Sequence, residues 1–168
     1  MTTTNPREIP FTGVRIRFDS EKRFDVVMGA LLADVGEKPL MIDDLPAKFE
    51  SWESYKSEVE SHVGPSGFIL FAVLNHGAWI KKVHIQKKVL RLVIGNPLLA
   101  ITMLRHDLTA GLFAPVELIV IEEDQDRSSV TYVRPSSLMV VETNEPLFAA
   151  ARELDTKLQA LVAKVTMA

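Results

Sequence analysis

Apolar and polar positions alternate or recur along this chain in ways that predict each element. Val14, Ile16 and Phe18 alternate with Arg15 and Arg17, so residues 13–18 predict a strand with one wet face. Phe24, Val27, Met28, Leu31, Leu32 and Val35 then recur at three- and four-residue steps, which predicts an amphipathic helix. Asp19 or Ser20 is placed to cap it, and Gly36 to end it in a left-handed conformation. A polar loop over 37–46 leads to a second helical pattern: Phe49, Trp52, Tyr55, Val59 and Val63, with an acidic outer face. Gly64-Pro65-Ser66-Gly67 stops it.

Residues 68–74 are apolar on both faces, which predicts a central strand or one covered by a partner subunit. Residues 87–94 predict another strand, with Lys87, Lys88 and Arg91 on a wetter edge. Asn96-Pro97 opens a short apolar helix through about Asp107, asparagine as cap and proline at the first turn. Strands over 116–122 and 129–134 flank a polar hairpin connection at 123–127. Leu147, Ala151, Leu154, Leu158, Leu161 and Val165 form the stripe of a last helix that starts near Thr143 or Asn144. The order is β-α-α-β-β-α-β-β-α. It predicts an α+β domain over 13–168, a single antiparallel sheet with helices packed on one face, after a mobile arm over 1–12.

Composition narrows the chemistry. The 168 residues, 47% of them hydrophobic, suit one core that needs no staples. Without cysteine there are no disulfides, thiolate zinc sites or cysteine nucleophiles. A net charge of −3 gives no bulk attraction to nucleic acid. The N-terminus lacks a signal-peptide pattern, and the apolar runs are far shorter than the roughly 20 residues of a membrane span. The expectation is a cytoplasmic protein that engages neither nucleic acid nor membrane.

Four stretches resemble a known family. They are FAVLNHGAW at 71–79, LRLVIGNPLLAITML at 90–104, LFAPVELIVIEE at 112–123, and a strand closed by Arg134-Pro135. Together they resemble the family called domain of unknown function 302. That family has a strand ending in histidine, a Gly-Asn-Pro after the next strand, and a Leu-x-x-Pro before the next. The resemblance implies an α+β fold similar to the TATA-box-binding-protein-like class, homodimers, and no settled activity. The chain departs from the pattern at Asn75, where the family often has Asp, and at Arg134, where it has Asp or Asn.

The candidate chemistry starts at His76, at a strand-to-turn junction. A histidine there can act as general acid or base, bind a ligand anion, or simply fix the turn through hydrogen bonds. Asn96 opens a helix whose free amides can hold an anion, or it is only a cap. His106, with Arg105 and Asp107, either closes its helix or meets His76 across a cleft. Lys81, Lys82, His84, Lys87, Lys88 and Arg91 form a basic run that reads best as solvated. The histidines lack helical metal spacing, no nucleotide fingerprint is present, and Ser66 lacks a nucleophile-elbow context, so no metal or cofactor is expected. The leading expectation is a dimeric small-molecule-binding or sensing domain with Asn75, His76, Asn96, His106 and Tyr132 around its ligand. The alternatives are an enzyme using His76, helped by Asn75 or Tyr132, and a structural or protein-interaction module.

Overall fold

The computed structural model describes residues 5–167. Its sheet has five strands: β1 (Arg15–Ser20), β2 (Ile69–Asn75), β3 (Val89–Gly95), β4 (Val116–Glu122) and β5 (Ser128–Val133). Their order is β1-β5-β4-β3-β2, and every neighbouring pair is antiparallel. Six helices accompany them: α1 (Phe24–Val35), α2 (Trp52–His62), α3 (His76–Ile80), α4 (Pro97–Leu104), α5 (Pro135–Met139) and α6 (Glu145–Thr166). The α+β class and the single antiparallel sheet are as the sequence predicts. The short helices α3 and α5 are additions to the expected order.

Alternation along each strand decides which face is buried. Ile16, Tyr132, Leu118 and Leu92 lie opposite one another across four strands, and Phe18, Val130, Val120 and Leu90 form a second such row. Both rows face the core, where α1 brings Val27, Leu31 and Val35 and α6 brings Ala151, Leu158 and Leu161. Burying each such leucine contributes about 1.5–3 kcal/mol against leaving it wet. Among the described residues, no helix stripe packs against the opposite face. Arg17, Thr131, Ile119 and Arg91 make one row there.

Several expectations need correction. β2 is an edge strand, not a central one: Phe68, Ile69 and Leu70 are buried by the core and by a small cluster with Leu45 and Val59, whereas Val73 and Leu74 are exposed. Two-sided apolarity there records two separate layers of the same chain. β3 is interior, so Lys87 and Lys88 guard no sheet edge; they precede the strand and pair with Asp124 and Asp25. Asp19 and Ser20 do not cap α1, because β1 runs on through them. The cap position is Arg23, with no side-chain bond, and Ser20 Oγ instead donates to the Thr166 carbonyl at 2.6 Å. The apolar helix after Asn96 ends at Leu104, and Asp107 caps the next turn by accepting from the Thr109 amide at 2.8 Å.

Local signals elsewhere produce what the sequence predicts. Asn96 Oδ1 accepts from the Leu98 amide and Asn144 Oδ1 from the Leu147 amide. Gly36, by contrast, ends α1 at a φ of 109° but a ψ of 145°, so the expected left-handed cap does not form. Of the expected mobile arm, residues 1–4 lie outside the described residues. The rest lacks regular structure but lies against the body: Arg7 pairs with Glu142, and the Phe11 ring meets Phe113 edge-on.

Candidate functional site

A concavity lies at the C-terminal end of β3. Gly95 makes it possible. A Cβ there would sit 2.9 Å from the Phe71 ring and 3.0 Å from Pro115 Cβ, so only glycine lets both close around the strand end. Asn96 then turns the chain into α4, its Oδ1 capping the helix while Nδ2 donates to the Gly67 carbonyl at 3.0 Å. α4 brings Leu99, Ala100 and Met103, and the segment 40–43 closes the far side. The result is a cavity of about 420 Å³. Its lining is mainly apolar, with Asp43 as its charged side chain and Met41, 66% exposed, at the rim.

Of the five residues expected around a ligand, only Asn96 lines this cavity. His76 stands at the other end of the sheet. β2 and β3 pair with Asn75 opposite Leu90 and Ile69 opposite Gly95, so His76 and Asn96 follow opposite ends of the ladder. Six strand steps separate those ends, about 20 Å. The expected site near both residues therefore does not form. Antiparallel pairing of consecutive strands already implies that separation, and this is the signal that could have excluded it.

His76 opens α3 and is partly buried. Its Nδ1 accepts from Trp79 Nε1 at a long 3.4 Å, and the two rings meet nearly perpendicular. Asn75 Oδ1 is occupied, accepting from the Ala78 amide at 3.0 Å as the cap of α3. Asn performs that task as well as Asp, so the departure at 75 changes little in the turn. Tyr132 is 4% exposed on the core face between Leu118 and Ile16. Burial, and then the Asp155 carboxylate, push its phenol above the ordinary range. His106 is exposed, and its carbonyl accepts from Asn144 Nδ2. Among the described residues no hydrogen bond joins any two of His76, His106 and Tyr132. No group of three or more His, Asp or Glu among them is arranged to hold a metal.

The departure at 134 has a structural counterpart. Arg134 stands at the cap of α5 and makes no side-chain bond there. Asp155 on α6 fills the role from outside, accepting from the Ser136 amide at 2.9 Å and Ser136 Oγ at 2.6 Å. A second aspartate does the same for another turn: Asp34 accepts from the Ser66 amide and hydroxyl and from Lys164 Nζ.

Residues 45–165 match the sequence model of the family described as Domain of unknown function DUF302. The chain belongs to this family. Its fold is similar to a solved DUF302 structure, described as an uncharacterized conserved protein from Bacillus stearothermophilus. The two align with a TM-score of 0.63 at 14% identity, covering 90% of this chain and 97% of the other. At that identity the likeness carries the fold alone. Among curated proteins none matches. The DUF302 match extends well beyond 71–135, taking in α2 and nearly all of α6. Helix α1 and strand β1 precede it.

Proposed function

We propose that this DUF302 chain is a small-molecule-binding or sensing domain, with its ligand in the cavity at the end of β3. The carrying observation is the cavity itself. Its roughly 420 Å³ lies within the range of small-molecule sites, and its walls are apolar with few polar groups. Asn96 already bonds protein partners through both Oδ1 and Nδ2, and Asp43 is the charged side chain of the lining that can face a polar group of the ligand. A largely apolar molecule with one hydrogen-bond donor fits that lining. The enzyme reading loses support because His76 has no acid or second base hydrogen-bonded to it among the described residues.

The neutral fluorophore N-phenyl-1-naphthylamine tests this reading. Wild-type protein should enhance its emission saturably. Ala100→Trp, which fills the cavity from a helix position, should weaken binding about tenfold or more while leaving the unfolding midpoint within a few degrees. Equal binding by wild type and variant would sink the proposal.

The domain is further proposed to act as a homodimer. Support comes from the free end of edge strand β2, where Val73 and Leu74 are 38% and 40% exposed and no charged residue lies between 68 and 75.

A further inference from the structure

The uncovered face of the sheet holds a second concavity, of about 680 Å³, which shares only Pro115 and Val116 with the lining of the cavity beside Asn96. Its floor is the row of Thr131 and Ile119, with Val133 beside them. Leu112, Phe113 and Leu138 form one wall. Leu112 is 79% exposed, held there by the turn that Asp107 caps. A leucine so exposed, beside half-exposed sheet residues, is a wall with nothing yet against it.

Three arginines line this trough, and their charges are not equivalent. Arg91 Nε donates to Glu117 at 3.0 Å, and a second bond between the same two groups makes the pair bidentate. Arg17 Nε donates to Asp19 at 2.8 Å and Nη2 to Glu123 at 3.0 Å. Arg15, two residues from Arg17 on the same face and opposite Val133, has no ion pair among the described residues. The trough therefore joins an apolar floor and wall to three arginines: Arg91 is matched by one acid, Arg17 by two, and Arg15 by none among the described residues.

We infer that this trough binds a small amphipathic anion, with Arg15 holding a carboxylate or sulfonate head and the Leu112–Phe113–Leu138 wall covering the apolar body. A guanidinium matches a carboxylate in bidentate geometry, which selects head chemistry as well as charge. A second copy seated on the same face fits less well. Asp19, Glu117 and Glu123 each already bond to an arginine of their own chain, so self-association would cover Arg15 while offering it only acids that must loosen an existing pair. A nucleic acid would need a row of free cations, and among the described residues Arg15 is the one arginine of this trough without an ion pair.

The test uses full-length protein and the anionic fluorophore 1-anilinonaphthalene-8-sulfonate, with dodecanoate and dodecanol as competitors. One saturable site is expected, displaced by dodecanoate and about tenfold less readily by dodecanol. Arg15→Gln should weaken the site about tenfold and Arg15→Lys by less. Leu112→Ala should weaken it too, and this exposed position keeps the test valid if Arg15 variants fold poorly. Ala100→Trp should leave it unchanged, which separates this site from the one beside Asn96. Equal affinity in wild type, Arg15→Gln and Leu112→Ala, equal displacement by acid and alcohol, or loss in Ala100→Trp would each overturn the inference.

Discussion

Asp34 shows how much one buried carboxylate can hold. Its side chain is 2% exposed, yet it accepts bonds from the Ser66 amide at 3.1 Å, Ser66 Oγ at 2.8 Å and Lys164 Nζ at 2.8 Å. Burial on its own pushes this carboxyl up. The bonds from Lys164 and Ser66 outweigh burial and hold it below the ordinary value. A carboxyl lowered in the folded state adds stability above its unfolded pKa, about 3.9, and loses it as pH falls through the folded value. Urea unfolding at pH 7 and at pH 3 should therefore differ less in Asp34→Asn than in wild type. Asp34→Ala should cost about 2–3 kcal/mol at neutral pH, because Ser66 loses two bonds to a charged group. Lys164→Ala should cost nearer 1 kcal/mol, since the ammonium side chain is 60% exposed. An acid dependence in Asp34→Asn equal to wild type would refute the assignment. Neither this tie nor the Asp155 tie is legible in the sequence, because 32 and 19 residues separate the partners and no local pattern links them.

Elements were legible where their signals are local. The stripes of α1 and α6, the caps at Asn96 and Asn144, and the hairpin at 123–127 follow from spacing within a few residues. Helix α3 was missed because its signal is weak: five residues containing a glycine. That glycine is needed, since a Cβ on Gly77 would sit 2.9 Å from the Lys87 carbonyl, against which α3 rests. The place of β2 at the sheet edge was not legible, because strand order depends on pairings far apart in the chain. The hairpin between β4 and β5 gives a test of its own. Gln125 and Asp126 both adopt positive φ, 61° and 60°, a conformation that favours Asn and Gly in two-residue hairpin turns. Replacing them with Asn-Gly should raise stability by about 1 kcal/mol, seen as a higher thermal midpoint. A lowered midpoint would mean that Gln125 or Asp126 makes contacts worth more than the turn strain.

At the scale of the whole molecule, the two ends of the sheet differ in how they meet solvent. Edge strand β1 carries Arg15, Arg17 and Asp19, charges that discourage another strand from pairing. Edge strand β2 carries none. Its first half is occupied, since the Leu40 amide donates to the Leu70 carbonyl at 2.9 Å. The free part is 72–75, and it continues into α3 and the following turn, where Trp79, Val83 and Ile85 are also exposed. Four strand residues alone fall short of the roughly 1,000 Å² a stable interface buries, so the neighbouring aromatic and aliphatic residues must contribute. This predicts a dimer built on paired β2 edges, with the open face left free for ligand. Val73→Lys should halve the mass measured by light scattering and leave the unfolding midpoint nearly unchanged, because Val73 is already 38% exposed. Leu112→Glu, on the open face, should leave the dimer intact. A dimer that survives Val73→Lys but dissociates in Leu112→Glu would move the interface onto the open face. Arg15 would then require an acid from the partner, and the trough would be a protein contact instead of a ligand site.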